Sequence, residues 1–224
     1  MGESITLTAS DGHELGDYLA RPDGPARAGL VICQEIFGVT AHIRDVADGF
    51  AAKGYLTIAP ALFDRIERGV ELTYTADDTT RGRALRTALA WEAVMLDVSA
   101  AVEHVRTGSG PGVAGVVGYC WGGSLAWLAA CRLHVAAAVG YYGGQIHEHR
   151  AETPNCPVQL HFGERDPIIP NEHVVEIGAL HPDVPIFTYD AGHGFNCVPR
   201  PDYNPDAAAL ARQRTLDFLA RHLD

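Results

Sequence analysis

The chain has 224 residues, 47% of them hydrophobic and 20% charged, with 28 acidic against 17 basic side chains and a formal net charge of −11. A chain of this length and composition buries roughly 70% of its extended surface on folding, which argues against disorder. The negative field argues against nucleic acid as a partner, because phosphates are repelled unless a local basic patch intervenes.

Taken in chain order, the alternation over residues 5–9 and the extended stretch 13–20, joined by Ser10, Asp11 and Gly12, predict a hairpin and an antiparallel edge. Residues 28–34 read as a buried strand. Residues 41–53 follow as a helix, with Ile43, Val46, Ala47 and Phe50 on its apolar face and Gly54 as its stop. Residues 55–59 form the next strand, and 61–78 read as a loop or lid without a clean period. One long helix is expected over 81–105, on the apolar stripe Ala88, Trp91, Val94, Met95, Val98 and Val102. Residues 113–118 suit a central parallel strand running straight into an alanine-rich helix over 121–131. Strands at 135–140, 158–162 and 186–189 and helices at 172–180 and 206–223 complete the pattern. Alternating strands and helices, with no repeat or linker, predict a single α/β domain over 1–224 whose mostly parallel sheet carries helices on both faces.

No apolar run approaches the roughly 18 to 20 residues of a membrane helix. Residues 1–10 lack a charged and then apolar leader, so a cytoplasmic location is expected. Gly2 and Thr6 satisfy the loose myristoylation pattern, which we read as chance. Five scattered cysteines, without a CxxC pair, fit a reducing compartment. Only Cys120 has a context of its own. Gly118-Tyr119-Cys120-Trp121-Gly122 places it in a G-x-nucleophile-x-G elbow between a strand and a helix. The helix start there favours negative charge, on a thiolate or on an oxyanion. On its own the motif competes with an ordinary strand-to-helix turn around a buried cysteine. Asp166 after the strand 158–162 and His193 after 186–189 supply the acid and the histidine in the order an α/β-hydrolase requires.

These segments resemble the dienelactone hydrolase family of the α/β-hydrolase fold. Cys33-Gln34-Glu35-Ile36-Phe37-Gly38-Val39, Gly118–Gly123, the Gly-Tyr-Tyr-Gly of 140–143 and Gly192-His193-Gly194-Phe195 are similar to its motifs, and the likeness spans nearly the whole chain. The resemblance implies Cys120 as nucleophile, His193 as general base and acid, and Asp166 as the carboxylate that orients the imidazole. It implies that Glu35 contacts the resting thiol and helps ionise it, and that the N–H groups of Ile36 and Trp121 form the oxyanion hole. Phe37 and Tyr141 fall at pocket positions.

The chain also departs from the family pattern. An arginine expected four residues after the histidine is replaced by Cys197, leaving Arg200 as the nearest substitute. Arg81, Arg83 and Arg86 stand near the place of a second substrate-binding arginine, and Arg81 is taken as the candidate. Loss of an arginine removes bidentate recognition of a carboxylate, so hydrolysis is better supported than any one substrate. His147-Glu148-His149 lacks a third ligand and the glycines of 108–112 lack a phosphate-loop lysine, so neither a metal nor a cofactor is expected. The expected function is that of a monomeric hydrolase opening an enol lactone or small activated ester through a Cys-His-Asp triad and an acyl-thioester. The alternatives are a general carboxylesterase or thioesterase, and a ligand-binding or redox-sensing relative that does not turn over.

Overall fold

The computed structural model describes residues 2–223. Eight strands form one sheet: β1 (Glu3–Thr8), β2 (Glu14–Ala20), β3 (Ala28–Cys33), β4 (Tyr55–Pro60), β5 (Ala114–Tyr119), β6 (Ala137–Tyr141), β7 (Val158–Gly163) and β8 (Ile186–Tyr189). Their order is β1-β2-β4-β3-β5-β6-β7-β8. The predicted hairpin is the antiparallel edge, with Leu7 opposite Leu15. From β4 onward the strands are parallel. Strands β3 to β7 are buried at every residue, which is why they read as continuous apolar runs, whereas β1 alternates with solvent.

Six α-helices cover the sheet: α1 (Ala41–Ala51), α2 (Ala76–Ala88), α3 (Trp91–Gly108), α4 (Trp121–Arg132), α5 (Asn171–Leu180) and α6 (Pro205–Leu223). Helices α3 and α4 pack together over β3 to β6. Helices α1 and α6 meet where Arg212 donates to the Gly49 carbonyl at 2.9 Å. Thr40 and Thr75 start α1 and α2, their hydroxyls accepting from the N–H groups of Ile43 and Asp78.

The long helix expected over 81–105 is instead two helices. Leu89 and Ala90 are extended, with ψ of 129° and 137°, and the chain turns there without proline or glycine. The reason is tertiary. Helix α3 lies on the sheet, while α2 leans on the segment after β3 so closely that a Cβ on Gly82 would stand 2.0 Å from the Ile36 carbonyl oxygen. A straight helix cannot meet both surfaces, and α2 buries only Gly82 and Leu85, too few to show a phase in the sequence.

The expected loop over 61–78 is tied down. Leu62 N–H donates to Gln34 at 3.3 Å, Leu72 N–H donates to the Phe37 carbonyl at 2.8 Å, and Arg44 grips Glu71 through two bonds of 2.8 Å. It forms a strap across residues 36–38.

Candidate active site

The candidate residues collect at the C-terminal ends of the parallel strands, where α/β sheets place their ligands. Cys120 follows β5 as the cap of α4, with φ 54° and ψ −118°. Such a backbone costs a non-glycine residue on the order of 1–3 kcal/mol and persists only where the surroundings impose it. The elbow can be this tight because Gly122 lies against β3: a Cβ there would stand 2.2 Å from the Cys33 carbonyl oxygen. Asp166 follows β7 and His193 follows β8.

The three side chains are joined in series. His193 Nε2 is 3.1 Å from Cys120 Sγ, and His193 Nδ1 is 2.7 Å from Asp166 Oδ2. The other Asp166 oxygen accepts from the N–H groups of Ile168 at 2.7 Å and Ile169 at 3.2 Å. His193 and Asp166 are buried while Cys120 is partly open. Burial works against charge on the His193 ring. The facing Cys120 sulfur and the Asp166 hydrogen bond outweigh it and push its pKa up to about 10.

Ile36 and Trp121 both line the cleft beside Cys120. Neither backbone N–H is committed to a backbone acceptor among the described residues, so both remain available to an oxyanion. The Trp121 ring is fixed by stacking on Phe63, with centroids 5.5 Å apart.

Glu35, at the end of β3, is 1% exposed. The resemblance puts it against the resting thiol. In the structure Cys120 Sγ instead faces His193, and Glu35 Oε1 lies 3.6 Å from Arg200 Nη1. The guanidinium draws the carboxylate to its own side. Arg200 therefore reaches the site, as Glu35's counter-ion and over the Phe37 ring at 5.9 Å.

Two expected substrate residues are elsewhere. Arg81 points away to an exposed ion pair with Glu67 and does not line the cleft. Tyr141 is buried, its hydroxyl 2.6 Å from that of Thr215 and its ring stacked on His161. Its neighbour Tyr142 is the residue at the site. Tyr142 has φ 38°, its ring is 5.1 Å from that of His193, and its buried hydroxyl has no hydrogen-bond partner. Tyr141 is the last residue of β6, and the left-handed backbone of Tyr142 just past the strand end turns its ring to His193 instead.

The cleft holds about 300 Å³, and its far wall is α2, which contributes Thr79, Arg83 and Arg86. Neither guanidinium is ion-paired among the described residues, and Arg86 Nε is buried without a partner. The available sequence signal was their three-residue spacing directly after Gly82, which puts both on one helix face.

The profile of the dienelactone hydrolase family matches residues 15–223. The chain belongs to that family. It is 34% identical over 227 aligned positions to a carboxymethylenebutenolidase of Pseudomonas putida, covering 97% of this chain and 96% of the relative. A provisionally assigned dienelactone hydrolase from Klebsiella pneumoniae superposes with a TM-score of 0.85 at 29% identity, covering 97% of this chain and 99% of that one. An α/β serine hydrolase homologue from Coxiella burnetii shares the fold, with a TM-score of 0.68 at 15% identity over 95% of this chain and 96% of its own. The chain is thus a family hydrolase with the α/β-hydrolase architecture that its strand and helix order predicts. Among the described residues no helix is long and apolar enough to cross a membrane.

Proposed function

We propose that this hydrolase opens an enol lactone or small activated ester carrying a carboxylate, using Cys120, His193 and Asp166 through an acyl-thioester. The observation that carries the reading is the unbroken hydrogen-bond series from Sγ through the imidazole to Asp166. A free thiol is only a few per cent ionised near neutral pH, and the facing imidazolium answers that need. Attack by the thiolate puts negative charge on the carbonyl oxygen between the N–H groups of Ile36 and Trp121. Loss of one such donor costs about 3 kcal/mol in comparable sites. Collapse expels the enolate, which takes the proton from His193 Nε2. The neutral ring then removes a proton from water, which hydrolyses the thioester and returns the thiolate–imidazolium pair.

Arg83 and Arg86 support the carboxylate. They stand on the wall facing Cys120 with donors to spare, so a substrate anion gains charge-assisted hydrogen bonds worth about 1.5–3 kcal/mol each. The deciding experiment is steady-state hydrolysis of cis-dienelactone beside p-nitrophenyl acetate, with wild type and Cys120→Ala in parallel. Cys120-dependent turnover that favours the anionic lactone is expected. Turnover of the neutral ester alone leaves the mechanism standing and removes the carboxylate from the substrate.

A further inference from the structure

Beside the proposed triad lies a second group of reactive side chains that hydrolysis does not use. Glu35 at the end of β3, His42 in the first turn of α1 and Cys197 in the loop after β8 each offer one donor atom, and these atoms lie within 4.8 Å of one another. All three residues are buried, at 1%, 7% and 0% exposure. Glu35 Oε1 and His42 Nε2 have no hydrogen-bond partner. Arg200 answers the Glu35 charge, but nothing answers His42 Nε2, and a buried imidazole nitrogen left unpaired beside a thiol and a carboxylate needs an explanation beyond packing.

We propose that Glu35, His42 and Cys197 form a binding site for a thiophilic divalent cation of the zinc class, whose occupancy switches off the neighbouring nucleophile. One thiolate, one imidazole and one carboxylate are the donor types of tetrahedral zinc sites, with bonds of about 2.0 to 2.3 Å. Donors held by such an ion are roughly 3.3 to 3.8 Å apart, so the present spacing closes by side-chain rotation. The sulfur selects zinc or cobalt over calcium or magnesium. Burial, then the Glu35 charge, hold the Cys197 sulfur as a thiol. Binding therefore breaks its S–H bond and forms a sulfur–metal bond, and the proton leaves to solvent. The divalent charge is then balanced by thiolate and carboxylate, and Arg200, 3.6 Å from Glu35 and of the same sign as the ion, is released from Glu35 toward the cleft.

The ion has its own entrance. His42 and Asp45 line a separate cavity of about 450 Å³ between α1 and α6, which does not contain Cys120. A cation can thus reach the cluster from behind without displacing substrate. The inhibitory effect rests on the role in ionising the Cys120 thiol that the family resemblance gives Glu35, whereas the binding itself does not.

The test therefore reads binding first. Metal-free Cys120→Ala protein, which lacks the thiol facing His193, is titrated with Co²⁺ and followed by the thiolate-to-cobalt charge-transfer band and the visible bands of tetrahedral cobalt. A stoichiometric band is expected, bleached by Zn²⁺. It is lost when Cys197→Ser is added, and cobalt affinity falls at least about tenfold with His42→Ala or the milder His42→Gln. Circular dichroism confirms that each variant is folded. No band, or one of equal affinity in the Cys197→Ser background, overturns the site. In the second arm Zn²⁺ inhibits wild-type hydrolysis of p-nitrophenyl acetate and His42→Gln raises the inhibitory concentration about tenfold. Equal inhibition of both assigns the effect to the Cys120–His193 pair and overturns the switch. A protein that hydrolyses neither ester fails the functional reading while leaving the cobalt result intact.

Discussion

The two sides of Cys120 are built on opposite terms. Toward His193 and Asp166 each polar atom that matters is held, the ring by sulfur and carboxylate and the carboxylate by two backbone N–H groups. Toward Glu35 the polar atoms are left over: Glu35 Oε1, His42 Nε2 and the Tyr142 hydroxyl are all buried without hydrogen-bond partners. The first side is organised before substrate arrives and needs no rearrangement in the transition state. The second has bonding capacity in reserve, available to a substrate, a shifting carboxylate or an ion.

The largest expected effect comes from removing the junction itself. Cys120→Ala should lower kcat by at least about 10⁴-fold while the thermal midpoint stays close to wild type, and retained turnover would take Cys120 out of the mechanism. Asp166→Asn tests the organised side next. It should cost about 10⁴-fold in kcat. Because Asp166 helps to hold the His193 proton up to about pH 10, the variant should also lose activity at lower alkaline pH than wild type. A pH–rate profile with an unmoved alkaline limb would mean that Asp166 serves only to fix the ring.

Smaller effects probe the cleft wall. Arg83→Ala and Arg86→Ala should each raise KM for cis-dienelactone about tenfold or more and leave p-nitrophenyl acetate nearly unaffected. Equal losses on both esters would assign the arginines to the shape of α2 rather than to substrate charge.

Asp17 on β2, one strand in from the sheet edge, is the contrasting buried carboxylate, without a cation such as Arg200. Burial above all, with the charges of Asp64 and Asp97 adding to it, pushes its pKa up to about 8 from 3.8. The sign follows from proton binding: the folded chain holds this proton and the unfolded chain releases it near pH 4. The stability this group contributes is therefore fully present below about pH 4 and is lost as pH rises toward 8. Asp17→Asn should raise the melting temperature at pH 8 but not at pH 4, and thermal unfolding at both values would show it.

What the sequence reveals follows the same division. Cys120, Asp166 and His193 are legible because each stands at the end of a short apolar run, and a parallel sheet brings such ends to one edge. Tyr142 is missed in favour of Tyr141 because β6 ends at Tyr141 and the next residue takes a left-handed backbone that no sequence pattern announces. Arg81 is preferred over Arg83 and Arg86 because α2 is polar on nearly all sides and its sequence carries no phase. The break at Leu89 and Ala90 is invisible for a related reason, since good helix formers stop there only to let α2 and α3 meet different surfaces. Cys197 reads as the loss of an arginine. Its companions Glu35 and His42 come from two other segments, and only the fold puts them beside it.

The contact between Gly82 and the Ile36 carbonyl has a consequence for how this enzyme can change. It welds the helix that presents Arg83 and Arg86 to the segment whose N–H group we assign to the oxyanion hole. Any side chain at 82 would prise the two apart and disturb binding and chemistry together. Positions 83 and 86 carry no such constraint. New acids, neutral esters or bulkier acyl groups can be accommodated by exchanging those two side chains on a fixed rail, so specificity is free to drift while the machinery for bond breaking stays where it is.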